Sequence, residues 1–230
     1  LEMAELYAVN INEWISDRQY NELIVGTDSS RRDKARRYRF KADEKRCIYS
    51  DALLRYLVCR ETGLPKTAVS YSFNEYGKPY LPGLGGMYFN LSHSGKWIIC
   101  GWAGSEIGVD VEYKDCVELE IASRFFPPEE YRAIVCAGSK QAAQDMFYSI
   151  WTLKESYVKY LGMGMSMPLD SFHYTIAGGR IMLHADGAAA PNCKLFDIDN
   201  DHKVAVCTDD LLVDDIHLVS LDSICTKLAS

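Results

Sequence analysis

The spacing of apolar residues along the chain predicts two long helices. Between Lys41 and Thr62 apolar residues recur at every third or fourth position, the spacing of one helix face, and Gly63 followed by Pro65 supplies the stop. The same spacing predicts a second long helix over residues 145–161, which Gly162 ends.

Stretches in which apolar and polar residues alternate predict strands, because successive side chains of a strand point to opposite faces. The predicted strands are residues 69–73, 87–91, 96–102, 107–113, 172–176, 180–184, 194–198, 203–208 and 216–221. Residues 74–82 are rich in Gly and Pro and are predicted to form a loop. Two short helices complete the prediction, one near residues 119–126 and one that starts at Pro127 and Pro128.

A short internal repeat predicts the architecture. Residues 96–100 and 203–207 share a pattern of lysine, three apolar residues and cysteine. Each segment follows a predicted helix that ends in glycine and precedes another apolar, alternating strand. This common order of elements predicts an α+β fold of two similar halves, which we place at residues 1–106 and 107–230.

Composition excludes several classes of protein. The formal net charge of -7 argues against nucleic-acid binding. No apolar run approaches the roughly 18 residues that span a bilayer, and residues 1–13 lack the basic and apolar regions of a signal peptide. The eight cysteines include no CxxC pair and are predicted to be free thiols of a cytoplasmic protein. The histidines show no zinc-binding spacing.

Positive charge is concentrated in one segment. Residues 31–46 contain nine basic and three acidic residues, a net charge of +6, which leaves -13 on the remainder of the chain. A basic segment on an acidic protein indicates an anionic ligand, although a solvated helix face has the same composition.

The most informative stretch is the predicted strand at residues 107–113. Alternation places Gly108, Asp110 and Glu112 on one face, so two carboxylates stand beside a glycine that leaves room for a ligand. Carboxylates this close repel each other unless a cation or a proton neutralises them, and Mg²⁺ is a suitable cation. The alternative is an edge strand with a solvated acidic face.

A second candidate lies on the second long helix. Trp151, Glu155 and Lys159 share one face of that helix, with Glu155 and Lys159 one turn apart. Glu155 could complete a three-carboxylate metal site, with Lys159 contacting the anion that the metal binds. The alternative is a surface ion pair next to a core tryptophan.

Two predicted turns carry further polar groups. Residues 92–95 are expected to form a Ser-His-Ser-Gly turn after a strand, with hydroxyl, imidazole and backbone N–H groups suited to phosphate. No GxSxG motif supports a hydrolase, and a capped turn is the structural alternative. Residues 76–79 form a rigid turn that presents Lys78, as a plain surface turn also would.

Together and in this order, the motifs at residues 77–79, 90–94, 108–112 and 151–159 resemble the 4'-phosphopantetheinyl transferase superfamily, in its surfactin-synthetase-activating branch. Residues 124–126 followed by Glu129 and Glu130 resemble a secondary motif of the family. The resemblance implies a monomeric α+β pseudo-dimer of two similar halves, with the active site between them.

The resemblance also implies a role for each motif residue. The implied ligands of Mg²⁺, with Mn²⁺ as a substitute, are Asp110, Glu112 and Glu155. The implied catalytic residues are Asp110, Glu155 and Lys159. The residues implied to bind coenzyme A are Arg31, Lys34, Arg46, Tyr76, Gly77, Lys78, Pro79, Ser92, His93 and Lys159. Arg31 stands where a lysine is common in the family, and it keeps the positive charge.

The implied reaction transfers 4'-phosphopantetheine from coenzyme A to a serine of an apo acyl or peptidyl carrier protein and releases adenosine 3',5'-bisphosphate. Glu155 or a metal-bound water takes the serine proton. Carriers of secondary-metabolite synthetases, which make nonribosomal peptides and polyketides including antibiotics, are the expected partners, and residues 117–126 are the expected docking surface.

Two other readings of the same residues are a Mg²⁺-dependent phosphodiesterase or nucleotidase that acts on a pyrophosphate-containing nucleotide, and a non-catalytic binding module. The binding module leaves Asp110, Glu112 and Glu155 unexplained.

Overall fold

The computed structural model describes residues 3–116, 121–185 and 190–229. The strands in these ranges are β1 (Met3–Asn10), β2 (Ser72–Phe73), β3 (Pro79–Tyr80), β4 (Tyr88–Ser94), β5 (Trp97–Ala103), β6 (Ile107–Tyr113), β7 (His173–Ala177), β8 (Arg180–His184), β9 (Asn192–Asp199), β10 (His202–Thr208) and β11 (Leu211–Leu218). The helices are α1 (Asp17–Gly26), α2 (Ser29–Ala35), α3 (Lys41–Thr62), α4 (Ala122–Phe125), α5 (Pro128–Val135), α6 (Lys140–Leu161) and α7 (Leu221–Ala229).

Each half has the same order of elements. A strand, a long helix, a short hairpin and two further strands follow one another as β1, α3, β2–β3, β4 and β5, and again as β6, α6, β7–β8, β9 and β10. The strand order β1-β5-β4 in the first sheet matches β6-β10-β9 in the second, and both sets of pairings are antiparallel. The predicted α+β fold of two similar halves is therefore confirmed.

The two sheets pack face to face between the two long helices. Ile99 of β5 lies in the same apolar cluster as Val109 of β6 and Val204 of β10. Residues on the outer face of the first sheet pack against α3, and Ala205 on the outer face of the second packs with Leu153 of α6. The resulting order is helix, sheet, sheet, helix, with the β4 and β6 edges at the junction of the halves.

Backbone conformation and capping set the ends of the long helices. Gly63 and Gly162 adopt the left-handed conformation, with φ of 70° and 68°, and end α3 and α6 as predicted. Helix α6 begins at Lys140, five positions before the predicted start at residue 145, because the Ser139 side chain accepts a hydrogen bond from the backbone N–H of Ala142. Its first turn contains only alanine as an apolar residue, so no large apolar side chain marks the helix start in the sequence.

Several elements differ from the prediction. Strand β1 was not predicted, since consecutive residues from Leu6 to Val9 are all buried and leave no alternation. Helices α1, α2 and α7 were also missed. The strand predicted over residues 216–221 is β11, which ends at Leu218, and Leu221 opens α7. Residues 69–73 contain only the two-residue strand β2.

The chain returns to its first half at the end. Strand β11 pairs in parallel with β1, and Leu221 and Ile224 of α7 join the apolar cluster around α3.

Of the expected docking surface at residues 117–126, positions 117–120 lie outside the described residues, and the remainder contains α4. No helix in the described ranges is long and apolar enough to cross a membrane.

A buried cation anchors the second half. Lys154 of α6 is fully buried, and its Nζ lies 2.9 Å from Glu130 Oε2. The same ammonium donates hydrogen bonds to the carbonyls of Leu169, at 2.7 Å, and Phe172, at 2.6 Å. Glu130 in turn accepts the backbone N–H of Tyr174 at 2.7 Å. One lysine thus joins α5, α6 and the segment that enters β7.

The first half also contains a buried cation on its long helix. Arg55 of α3 is buried, with Nε 2.6 Å from Asp51 Oδ2. Its Nη1 donates to the carbonyls of Lys66, at 2.7 Å, and Val69, at 3.2 Å. In both halves, a buried cation on the long helix holds the segment that follows the helix.

We expect Lys154→Met to lower the free energy of unfolding by about 3–5 kcal/mol, because it leaves the Glu130 carboxylate buried without a counter-charge. Urea unfolding followed by circular dichroism measures the loss. The double variant Lys154→Met/Glu130→Leu is expected to recover most of it. Equal losses in the single and double variants would contradict a role for the ion pair.

Candidate active site

Side chains of β4 join the two sheets at the edge of β6. Every second backbone N–H along this part of β6 donates to a polar side chain of β4. The pairs are Val109 with Asn90 Oδ1 at 2.9 Å, Val111 with Ser92 Oγ at 3.3 Å, and Tyr113 with Ser94 Oγ at 3.0 Å. This set of contacts, which we call the β4–β6 seam, replaces a backbone ladder.

The seam corrects one prediction. Ser92, His93 and Ser94 were expected in a turn, but they lie within β4, and the turn begins at Gly95. Asn90 was not predicted as a site residue, and the Ser94 hydroxyl was expected to suit phosphate and not to contact β6. The signal in the sequence is a polar residue at each of positions 90, 92 and 94.

Asp110 is the centre of the site. Its side chain is buried, and its Oδ1 lies 2.6 Å from Lys159 Nζ and accepts the Ser92 hydroxyl at 2.9 Å. Lys159 also donates to Ser92 Oγ at 3.0 Å. The second carboxylate oxygen, Oδ2, is buried without a hydrogen-bond partner among the described residues. A buried, unpaired carboxylate oxygen indicates a missing cation or donor.

Glu112 lies two residues further along the same face of β6. It accepts the Ser94 hydroxyl at 3.2 Å and the Trp151 indole N–H at 3.3 Å. Burial, together with the negative charge of Asp110, raises the pKa of Glu112 to about 7 despite these donors. Trp151 also packs in an aromatic cluster with Phe147, so it both belongs to a core and contacts the site.

Glu155 approaches from α6. Its carboxylate forms no hydrogen bond or ion pair with any side chain that the structure describes, so the predicted alternative of an ion pair with Lys159 is wrong. Burial and the charge of Asp110 raise the pKa of Glu155, while Lys159 lowers it. Three carboxylates and one ammonium therefore share a single electrostatic environment.

Gly108 allows α6 to come this close. A Cβ at this position would lie 2.0 Å from the carbonyl oxygen of Ser156 and 2.2 Å from the backbone nitrogen of Tyr160. The expectation that this glycine leaves room for a ligand is therefore wrong, because the helix backbone fills the space. The contact places Glu155 and Lys159 opposite Asp110 and Glu112.

Part of the basic segment lies beside the end of β4. Arg46 Nη1 donates to the Gly95 carbonyl at 2.5 Å. Desolvation lowers the pKa of His93, and the charges of Arg46, Lys159 and Lys34 lower it further. His93 lies near the end of β4, so the positive charges of Arg46 and Lys34 from the basic segment and of Lys159 from α6 surround one place.

Arg31 has a different environment. Its guanidinium carbon lies 4.6 Å from the centre of the Tyr71 ring, a cation–π distance. The Tyr71 hydroxyl donates to Asp51 at 2.7 Å. The structure therefore places this predicted coenzyme A contact over an aromatic side chain, and its role remains a prediction.

Lys78 is largely buried. Its Nζ lies 2.6 Å from Glu106 Oε2 and donates to the carbonyls of Ile107 and Tyr160 at 3.1 Å each. Burial lowers the pKa of this ammonium. The lysine thus holds the start of β6 against the end of α6.

The rest of the predicted loop lies at the surface. Tyr76 and Gly77 are exposed, Gly77 has a φ of 87°, and Pro79 opens β3. A cavity of about 390 Å³ adjoins this turn, with Tyr80 and Glu106 in its wall. The proposed contact of this loop with coenzyme A stays a prediction.

The carboxylates fit a hard cation. No three His, Cys, Asp or Glu side chains of the described residues are already arranged to hold a metal ion, and Lys159 occupies one oxygen of Asp110. The unpartnered Oδ2 of Asp110 and the raised pKa values of Glu112 and Glu155 show unneutralised negative charge. Oxygen donors of this kind suit Mg²⁺.

The whole of this region of the chain is similar to one family of known proteins. Residues 106–207 match the 4'-phosphopantetheinyl transferase superfamily, and residues 12–104 match the N-terminal region of 4'-phosphopantetheinyl transferases. The 4'-phosphopantetheinyl transferase Sfp of Bacillus subtilis (strain 168) is 35% identical over 88% of this chain and 91% of its own length. The 4'-phosphopantetheinyl transferase HetI of Nostoc sp. is 31% identical over 65% of both chains.

Among solved structures, the holo-[acyl-carrier-protein] synthase of Thermotoga maritima overlaps 46% of this chain and 64% of its own, at 20% identity and a TM-score of 0.39. The two family matches and the extent of identity with the Bacillus enzyme show that this chain belongs to the 4'-phosphopantetheinyl transferase superfamily and is a transferase.

Proposed function

We propose that this enzyme transfers 4'-phosphopantetheine from coenzyme A to a serine of carrier proteins of secondary-metabolite synthetases, and releases adenosine 3',5'-bisphosphate. One observation carries the assignment of the site: buried Asp110 has an oxygen without a hydrogen-bond partner in the described part of the chain and lies among Glu112, Glu155 and Lys159. This combination of excess negative charge and one ammonium suits a site that binds a divalent cation together with phosphate.

Asp110, Glu112 and Glu155 would hold Mg²⁺, or Mn²⁺ in its place. When bound, the cation would offset part of the negative charge of the three carboxylates and of the phosphate oxygens of coenzyme A. The seam supports this assignment because the Ser92 and Ser94 hydroxyls fix the orientation of Asp110 and Glu112.

The positive surface at the end of β4 would bind the phosphates of coenzyme A. The positive charges of Lys34, Arg46 and Lys159 each lower the pKa of His93, so all three lie near one region of a chain with a net negative charge. Arg46 is already oriented by the Gly95 carbonyl. Arg31 would reach the 3'-phosphate from its place over Tyr71, and the turn at residues 76–79, beside the cavity, would contact the adenine.

In the transfer step, the carrier serine oxygen forms a bond to the phosphorus that bears the pantetheine arm, and the bond from this phosphorus to the bridging oxygen breaks. Glu155 would hold the cation through one carboxylate oxygen and take the serine proton on the other, since no described side chain forms a hydrogen bond or ion pair with it. Lys159 would stabilise the charge that develops on the phosphate oxygens.

We further propose that the enzyme acts as a monomer in the cytoplasm. Both sides of the β4–β6 seam come from one chain, so a second copy is not needed to build the site.

We expect Asp110→Asn and Glu155→Gln each to lower carrier modification by on the order of 100-fold or more, because each removes a charge that holds the cation or accepts the proton. Incubation with coenzyme A, Mg²⁺ and an apo-carrier, followed by intact-mass measurement of the carrier, gives the rate. Asp214→Asn is the matched control, since this acid is exposed on β11 and pairs only with Lys194 among the described residues.

Normal carrier modification by either site variant, with the fold intact by circular dichroism, would rule out the assigned roles. The same assay without a carrier tests the nucleotidase alternative. We expect no release of adenosine 3',5'-bisphosphate until the apo-carrier is added.

We expect Glu112→Gln to raise the thermal unfolding midpoint by a few degrees at about pH 8 in metal-free buffer. The pKa of Glu112 rises on folding from an ordinary value of 4.5 to about 7. The folded state therefore binds the proton more tightly, and stability falls as pH increases from about 4.5 to 7. The Glu112→Gln variant has no carboxyl group at this position, so it does not lose this stability as pH rises.

Calorimetry with and without Mg²⁺ separates the effect of Glu112→Gln on the stability of the metal-free protein from its effect on Mg²⁺ binding. Mg²⁺ should raise the midpoint of the wild-type protein more than that of Glu112→Gln. A variant that is no more stable than wild type at about pH 8, or that gains as much from Mg²⁺, would contradict the role given to Glu112.

A further inference from the structure

Two cysteines on neighbouring strands of the second sheet lie directly opposite each other. Cys193 of β9 pairs with Cys207 of β10 in the antiparallel register, and their Sγ atoms are 3.0 Å apart. Directly opposed residues of antiparallel strands have Cα atoms about 4.5–5.5 Å apart. This range lies within the roughly 4.4–6.8 Å that a disulfide spans.

The surroundings give the two sulfurs different properties. Cys207 is fully buried, and its Sγ lies 3.2 Å from the Ser156 hydroxyl of α6. Cys193 is only partly buried, so it is the more accessible of the two cysteines to a reagent from solvent. The Tyr174 hydroxyl lies 3.6 Å from each sulfur. Hydrogen bonding from Cys207 and Tyr174 lowers the pKa of Cys193, which favours its reactive thiolate.

The equivalent place in the first half contains a single thiol. Cys100 of β5 occupies the position of Cys207 in the repeat, but its partner on β4 is Leu91. The juxtaposition of two sulfurs is therefore a property of the second half and does not follow from the shared fold.

We propose that Cys193 and Cys207 form a reversible oxidation site, at which a low-molecular-weight disulfide converts the two thiols to one cross-strand disulfide. The bond would tie β9 to β10 on the face of the sheet that packs against α6, the helix that carries Glu155 and Lys159.

The chemistry balances in two exchange steps. The Cys193 thiolate attacks one sulfur of the reagent, forms a mixed disulfide and releases the first small thiolate. The Cys207 sulfur then attacks Cys193 Sγ, forms the protein disulfide and releases the second. Two electrons pass from the cysteines to the reagent, and the two cysteine protons end on the two released thiols.

The test uses the full chain with the two exposed cysteines replaced, as Cys116→Ser/Cys136→Ser, so that adducts at the surface do not obscure the result. The folded protein is incubated with oxidised glutathione, and its intact mass is measured before and after dithiothreitol. We expect the loss of two hydrogens, a non-reduced peptide pair that contains Cys193 and Cys207, and full reversal by dithiothreitol.

Variants at the pair give an independent check. In the same background, Cys207→Ser is expected to retain one glutathione on Cys193, and Cys193→Ser is expected to gain neither an adduct nor a disulfide at Cys207. In the protein that keeps both Cys193 and Cys207, three results would each overturn the proposal. These are a lasting glutathione on Cys193, a disulfide between other cysteines, or no reaction at Cys193. These results are read without either variant, so the test stands even if one fails to fold.

Discussion

The β4–β6 seam is the interaction on which the rest of the site depends. Ser92 and Ser94 each accept a backbone N–H of β6 and donate their own hydroxyl proton to an acid on the same strand. A backbone ladder between these strands would satisfy the N–H groups but would leave the acids without these donors. Side-chain pairing therefore joins the halves and orients Asp110 and Glu112 with the same atoms. Loss of the Ser92 hydroxyl in the intact fold would leave the buried N–H of Val111 without its acceptor, which is unfavourable.

The close contact at Gly108 determines the electrostatics of the site. Because α6 lies against the β6 backbone, Glu155 is brought near Asp110, whose negative charge already raises the pKa of Glu112. Lys159 is the one cation that contacts Asp110 among the described residues, and it does not neutralise all three acids. The pKa values of Glu112 and Glu155 are raised because burial and the negative charge of Asp110 outweigh the positive charge of Lys159. A folded protein keeps such an arrangement where function requires it, and ligand binding then recovers the stability.

The spacing of apolar and polar residues was sufficient to predict elements whose ends and buried faces depend on residues close together in the sequence. The bounds of α3 follow from apolar spacing and Gly63, and those of β6 follow from alternation. Strand β1 escaped prediction because it is buried on both faces. The part played by Gly108 and the buried position of Lys78 depend on contacts between segments distant in the sequence, which spacing alone does not contain. Motif order identified the acids of the site, but it did not show that Lys159 pairs with Asp110.

Comparison of equivalent positions in the repeat shows which residues make the two halves chemically different. The strand pairings place Tyr7 of β1 where β6 has Gly108, since they oppose Cys100 and Cys207 respectively. By the same register, Val9 stands in place of Asp110. The Tyr7 ring contacts His217 of β11, and its hydroxyl contacts Glu5 and Arg60. A large side chain thus lies between β1 and α3, where β6 has a glycine against α6, and β11 covers the edge of β1. The same backbone plan forms an acidic site at one edge because glycine and aspartate replace tyrosine and valine there.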